Sequence, residues 1–491
     1  MQPFYPIIYV RGYAMRQSDI ANTVATPYMG FNEGATKIRQ SWDRKVKRHI
    51  FESPLIRLMK DYGYRDSYAD GSEITGNLPA RSIVIYRYYD GADSDFGGGK
   101  PLSIEEAATG LKTLIHNLRE QVCGSDASKR KAFKVHLVAH SMGGLVCRAF
   151  LQNDRISSQP DRDLVAKVFT YATPHNGVEI VGQNVPAMLS LWDINNFNHK
   201  VMAGYLGLPS NSKRVDSLNG KFDANRFFCF VGTNHRDYGA AFGVAKWVAG
   251  EMSDGLVAIA NATVEGAPRA FAHRTHSGPY GVVNSEEGYQ NLVRFLFGDV
   301  RVDGLLHIEK LPLPPTVQKA YDQGHKVRGS YYFEASVTPR GLFGLQLSER
   351  QRHTYSAILR GFDEMLRPEK QGLSKPRSPR LFSLFLEKDK ITVGRTMVFS
   401  LQLAVSTTGY DIDKNFFLSR HVEGEYLFRD TLIINITDNP AGRRVRYLFS
   451  DSQWSESRGR EVHSSDGTHY HIPIESTKGF AAQLVLAIQP S

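Results

Sequence analysis

The sequence predicts an α/β fold with a mainly parallel sheet, followed by a β-rich second region. Three observations carry that reading. An apolar run, Val135–Val138, stops at Ala139-His140-Ser141-Met142-Gly143-Gly144 and continues as the helix-length apolar stretch Leu145–Leu151. Up to about residue 300, short β-rich runs alternate with helical patterns, the order of strands covered by helices. Beyond that point, runs of β-branched and aromatic residues recur without a helical period, which suggests a β-sandwich.

Ile7–Val10 reads as the first core strand, and Ser82–Tyr86 as the next. Ile104 to Val122 has the period of an amphipathic helix, opened by Ser103 with Glu106 at the capping-box position. The run Val135–Val138 follows, then the strands Val168–Ala172 and Phe227–Val231. Between these last two, apolar residues at helical spacing (Val185, Met188, Leu189, Trp192; Ile194, Phe197, Val201, Tyr205) predict a helical cap over about 178–225. Asn284, with Glu287 three residues on, is expected to cap a last helix that stops at Gly298-Asp299.

The expected division is a catalytic domain over 1–300, a linker over 301–330 centred on Leu311-Pro312-Leu313-Pro314-Pro315, and a β-rich accessory domain over 331–491. Its expected strands are Tyr331–Val337, Phe382–Leu386, Met397–Val405, Thr431–Ile436, Arg444–Phe449 and Ala482–Ile488, with an exposed loop from Arg367 to Arg380.

A chain of 491 residues is long enough for roughly two to four domains. No run approaches the ~18–20 uninterrupted apolar residues of a membrane span. The N-terminus carries no signal-peptide pattern, so a cytoplasmic location is the default expectation, with signal-less export left open. Three scattered cysteines, Cys123, Cys147 and Cys229, are too few for a disulfide framework or a zinc site. The net charge of +10 raises the question of anionic partners. The densest basic run, Lys37 to His49, is helix-compatible and accompanied by no recognisable nucleic-acid module. It reads as a solvated face, with peripheral contact to an anionic membrane surface as the alternative; no nucleic-acid partner is expected, and oligomeric state is left open.

The stretch around Ser141 has the context of a nucleophile elbow, a strained strand-to-helix turn that exposes a serine hydroxyl above the sheet. Small residues two before and two after the serine are a steric need, because strand and helix backbones nearly touch there. Ala139 stands where the usual pattern has glycine and is small enough to serve.

Together with Ala172-Thr173-Pro174-His175-Asn176-Gly177, Ser253-Asp254-Gly255-Leu256-Val257 and His276, this motif resembles the α/β-hydrolases of the lipase and esterase class, closest to bacterial lipases and the inositol-deacylase-like branch. The resemblance covers the first ~300 residues and implies a Ser-Asp-His chain order. It implies Ser141 as nucleophile, Asp254 as acid with Asp237 as rival, and His276 as base with His273 as alternative. The implied oxyanion hole uses the N–H groups of Met142 and Tyr13. Arg11 departs from the His-Gly usual at that loop and is, with His140 and Trp192, a candidate substrate contact. His175 is expected to orient backbone near the site, and His136 to pack. The implied activity is hydrolysis of carboxylic esters of lipid type, with no cofactor and no catalytic metal; no acidic cluster points to a structural Ca²⁺, whose presence is left open. Two alternatives stand beside it: an acyltransferase using the same triad, or an interaction protein with a vestigial site.

Overall fold

In the computed structural model the described residues are 4–12, 36–40, 46–50, 54–65, 68–69, 72–73, 77–86, 88, 102–178, 197–236, 252–277, 281–342, 344–391, 395–415, 418–439, 442–450 and 459–491. The strands of the first region are β1 (Ile7–Val10), β2 (Thr36–Gln40), β3 (Val46–Ile50), β4 (Tyr68–Ala69), β5 (Ser72–Glu73), β6 (Ile83–Tyr86), β7 (Val135–His140), β8 (Val165–Tyr171), β9 (Phe227–Gly232) and β10 (Arg269–Ala272). Six of them form one sheet in the order β10-β9-β8-β7-β1-β6. The pairs β1–β6, β1–β7, β7–β8 and β8–β9 are parallel.

Every residue of β1, β7 and β9 is buried, as strands covered on both faces must be. The helix Ile104–Cys123 has the expected capping box, with the Glu106 N–H donating to Ser103 Oγ at 3.1 Å. Its apolar face (Leu111, Ile115, Leu118) shares a core with the fully buried helix Gly143–Gln152. The sheet order places a switch between β1 and β7. From β1 the sheet continues to β6 on one side, and from β7 to β8 on the other. The carboxyl ends of β1 and β7 therefore border the crevice where open α/β sheets bind ligands.

Three expectations for this region change. The described parts of the basic run Lys37 to His49, residues 37–40 and 46–49, fall on the antiparallel pair β2–β3, with Lys37 opposite His49, and not on a helix. The alternation of Thr36 and Ile38 with Lys37 and Arg39 is a strand pattern. The last helix, Glu286–Phe297, is capped one residue later than expected: Ser285 Oγ accepts from the Gly288 N–H at 2.9 Å, while Glu287 pairs with Arg274. Of the predicted cap, 179–196 lies outside the described residues. The helix His199–Leu206 is present, but Met202, Ala203, Tyr205 and Leu206 belong to the main core of the domain.

The β-rich region consists of β11 (Val300–Lys310), β12 (Lys326–Pro339), β13 (Ser348–Arg350), β14 (Ile358–Gly361), β15 (Arg380–Leu386), β16 (Thr396–Asn415), β17 (Leu418–Val422), β18 (Tyr426–Asn439), β19 (Gly442–Phe449), β20 (Arg460–Val462), β21 (His469–Glu475) and β22 (Ala481–Pro490). They form a four-stranded sheet, β15-β11-β22-β21, and an eight-stranded one following β13-β12-β16-β18-β19-β20 with β14 and β17 at its sides. Inner-face residues of both sheets, such as Val302, Leu484 and Leu486 against Val337, Phe399 and Leu401, share one core. That is a β-sandwich.

The segment 301–330 expected as a linker is structured. β11 pairs antiparallel with β15 on one side and β22 on the other, and Pro315 opens the helix Pro315–Asp322. The chain divides into two compact units: 1–269 with 273–296, and 270–272 with 297–491.

Candidate active site

Ser141 follows β7 with φ of 52°, a left-handed backbone that a non-glycine residue adopts at a cost of order 1–3 kcal/mol. Several contacts hold it there. The Ser141 N–H donates to the Tyr171 carbonyl at 2.9 Å, and the Ser141 carbonyl accepts from the Gly144 N–H at 3.0 Å and from Thr173 Oγ1 at 2.9 Å. The small residues predicted from sterics are required. A Cβ on Gly143 would collide with the Val10 carbonyl oxygen, and one on Gly144 with Thr173 Oγ1. A Cβ on Gly12 would lie 2.6 Å from that of Ser141, so the loop after β1 runs directly over the serine.

Asp254 and His276 reach the serine from the loops after β9 and β10. His276 Nε2 is 3.0 Å from Ser141 Oγ, and its Nδ1 is 2.9 Å from Asp254 Oδ2. The Asp254 side chain is 1% exposed and that of His276 4%, so this pair is screened from solvent. The other carboxylate oxygen, Oδ1, accepts the N–H groups of Leu256 at 3.0 Å and Val257 at 2.7 Å, which is what the Ser-Asp-Gly-Leu-Val turn accomplishes. Gly255 takes φ of 99° to make that turn. The His276 N–H also donates to the Asp254 carbonyl at 3.0 Å, tying the two loops together.

His140 is buried beside this pair. Its Nε2 donates to the His276 carbonyl at 3.0 Å, and the two rings lie 5.1 Å apart. Burial, followed by the neighbouring His276, pushes its pKa well below the ordinary histidine value, so the ring is neutral. Arg11 is half-buried, and its carbonyl accepts from Tyr88 Oη at 2.9 Å. Met142 starts the helix Gly143–Gln152 and is buried. Tyr13, Trp192 and the rival acid Asp237 lie outside the described residues. His273, the alternative base, is exposed, and the geometry brings His276 to the serine. Among the described residues no group of three or more His, Cys, Asp or Glu side chains could hold a metal ion.

Two contributors to the frame were not singled out from sequence. Thr173 braces the Ser141 carbonyl, as described above. Arg148 is fully buried and makes no ion pair among the described residues; its guanidinium donates to the carbonyls of His175 and Val215 at 2.6 Å and of Ser217 at 2.9 Å. Burial lowers its pKa to about 10, which leaves it a cation. It ties the serine helix to the Ala172–Gly177 loop. His175, also buried and held neutral by desolvation, contacts Thr170 Oγ1 at 3.1 Å. For Thr173 the signal was the motif Ala172-Thr173-Pro174-His175-Asn176-Gly177, whose roles spacing alone does not disclose.

A serine at positive φ between a parallel strand and a buried helix, followed in chain order by an acid and a histidine on later strand-end loops, defines the first domain as an α/β-hydrolase fold. Within that class, residues 93–202 match the family described as PGAP1-like alpha/beta domain. Lipase 2 of Staphylococcus aureus is 26% identical over 192 residues, which cover 35% of this chain and 24% of that protein. The chain thus spans about a quarter of the length of the curated relatives it matches. Among solved structures, phospholipase PlaB from Legionella pneumophila aligns with a TM-score of 0.34 at 12% identity, covering 81% of this chain and 86% of that one. Aspergillus fumigatus lipase B aligns with a TM-score of 0.29 at 12% identity, covering 57% and 50%.

Proposed function

We propose that this protein is a serine hydrolase of carboxylic esters, acting on acyl esters of lipid type. The observation that carries the reading is the relay Ser141 Oγ–His276 Nε2–Asp254, at 3.0 and 2.9 Å, with the acid buried. Ser141 attacks the acyl carbon while His276 Nε2 takes its proton, and Asp254 holds the imidazole in the tautomer whose Nε2 can accept. The oxyanion is received by the N–H of Met142 at the helix start and by that of Tyr13 after Gly12. The close approach of Gly12 to Ser141 supports that second donor. His276 then returns the proton to the leaving alcohol, and water hydrolyses the acyl-enzyme by the same relay. The preference for lipid esters is supported by the sequence similarity to a protein named as a lipase.

The test is turnover of p-nitrophenyl esters of graded acyl length, with and without an acceptor alcohol. Faster turnover on longer acyl chains is expected. Acyl transfer outrunning hydrolysis when alcohol is added would make the protein an acyltransferase, and no turnover on any ester would refute the reading.

A further inference from the structure

We propose that the outer face of the eight-stranded sheet carries a binding pocket for a phosphate-bearing anion, built on Arg340, Arg444 and Arg446. This goes beyond the ester chemistry and does not rest on it. Alternation along the strands sends Met397, Phe399, Ile434, Ile436, Val445 and Tyr447 into the sandwich core. The intervening residues form an opposite face, in register across three strands. Thr396 lies opposite Thr437, and Thr437 opposite Arg444; Val398 lies opposite Asn435, and Asn435 opposite Arg446. Arg340 joins from the end of β12, its N–H held by the Val398 carbonyl at 2.8 Å. Together they line a concavity of about 510 Å³.

The charge balance of that concavity points to an anion. Glu461 on β20 is shared by two of the cations: its Oε1 is 3.3 Å from Arg444 Nε, and its Oε2 is 3.1 Å from Arg446 Nη2. Among the described residues Arg340 has no carboxylate partner. Two of the three guanidinium groups therefore share one carboxylate and the third has none among the described residues, which leaves the lining of the concavity with an excess of positive charge. The surroundings add donors: the hydroxyls of Thr396 and Thr437, 2.8 Å apart, and the amides of Asn435 and Asn439. Guanidinium forks combined with hydroxyl and amide donors suit the tetrahedral oxygens of a phosphate better than a planar carboxylate, because several donors can reach different oxygens at once. The ligand is a phosphate group of a lipid headgroup or of a soluble phosphorylated molecule.

The test uses the full chain. Inorganic phosphate binding is measured by calorimetry, and binding to phosphatidylcholine vesicles with and without phosphatidylglycerol by co-sedimentation. Saturable phosphate binding is expected, weakened at least about tenfold in the Arg340→Gln/Arg446→Gln variant. Lys310→Gln/Lys319→Gln removes the same charge from other exposed positions of the same unit and should bind as wild type. Glu461→Gln should bind phosphate more tightly, an effect that a merely structural carboxylate would not produce. Phosphate competing the protein off the anionic vesicles would identify a lipid headgroup as the source. Phosphate binding without vesicle binding would identify a soluble ligand. The proposal is overturned if wild type binds no phosphate, if the arginine and lysine pairs lose affinity equally, or if Glu461→Gln weakens binding.

Discussion

Replacing Asp254 by asparagine tests the proposed relay with the least change of shape. Asp254 uses both oxygens: Oδ1 takes two backbone N–H groups, at 3.0 and 2.7 Å, and Oδ2 takes His276 Nδ1 at 2.9 Å. Asparagine has one oxygen and one NH₂. If the oxygen stays on the Leu256 and Val257 N–H groups, the NH₂ faces Nδ1, which must then accept. The imidazole proton moves to Nε2, and Nε2 can no longer take a proton from Ser141. The flipped amide would restore the tautomer but would aim NH₂ at two N–H groups, that of Val257 buried and that of Leu256 half-buried. Orphaning those costs about 1–3 kcal/mol each, roughly 2–6 kcal/mol together, so the unproductive orientation dominates. The expected loss in kcat is about 10⁴-fold, the scale found for this exchange in serine proteases, or about 5.5 kcal/mol of activation free energy. The assay is kcat and KM on a short p-nitrophenyl ester, with the melting temperature of both proteins as control. A variant within about tenfold of wild type would refute the reasoning, and so would a larger loss from Asp237→Asn.

Ser141→Ala should abolish labelling by a fluorophosphonate and leave the melting temperature close to wild type, since alanine keeps the Cβ and backbone contacts and loses only the hydroxyl that meets His276; labelling that persists would remove Ser141 as nucleophile. Three buried histidines predict acid lability. Burial lowers the pKa of His136 to about 3 and those of His140 and His175 well below the ordinary value. Folded-state pKa values below the unfolded one leave stability intact above about pH 6.5 and erode it as pH falls further, by about 1.4 kcal/mol per pH unit for each ring. Exposed His421, whose pKa Asp411 raises, acts in the opposite sense. Urea titrations between about pH 7.5 and pH 5.5 should show the decline, and His136→Gln should make it shallower by one proton. Arg148→Met should destabilise the fold by about 3 kcal/mol or more, because the carbonyls of His175 and Val215 lose this donor and that of Ser217 keeps only Gln152 Nε2 at 3.3 Å; a melting temperature equal to wild type would show that the buried cation is dispensable.

What was legible in the sequence follows from how local each cause is. The elbow was readable because steric crowding dictates small residues within three positions of Ser141, and the capping box because Ser103 and Glu106 satisfy each other. The Ser-Asp-Gly-Leu-Val turn was readable for the same reason: Asp254 bonds groups two and three residues ahead. Thr173 and Arg148 were not, because their partners are distant in sequence; Arg148 meets carbonyls 27, 67 and 69 residues away. An arginine inside an apolar helix reads as a surface residue until those carbonyls are known to converge on it.

The misplaced linker shows the same limit from the other side. Proline clustering at 312–315 correctly marks a break in regular structure, since Pro314 and Pro315 open a helix. It says nothing about whether the preceding segment belongs to one unit or the other. Val300, Val302 and Leu306 of β11 are buried in the sandwich core, and β11 lies between β15 and β22, whose pairing residues begin 380 and 481 in the sequence. Likewise Pro473 argues against a strand over His469–Glu475, yet β21 forms there at the end of its sheet, where a missing N–H costs no ladder bond. Both elements are specified by partners supplied later in the chain, so a chain ending at Leu311 would carry β11 with neither of its neighbours. Such a strand has unpaired backbone on both edges and an apolar face with no core to enter, which makes the position of that cut, rather than its proline content, decide the solubility of the fragment.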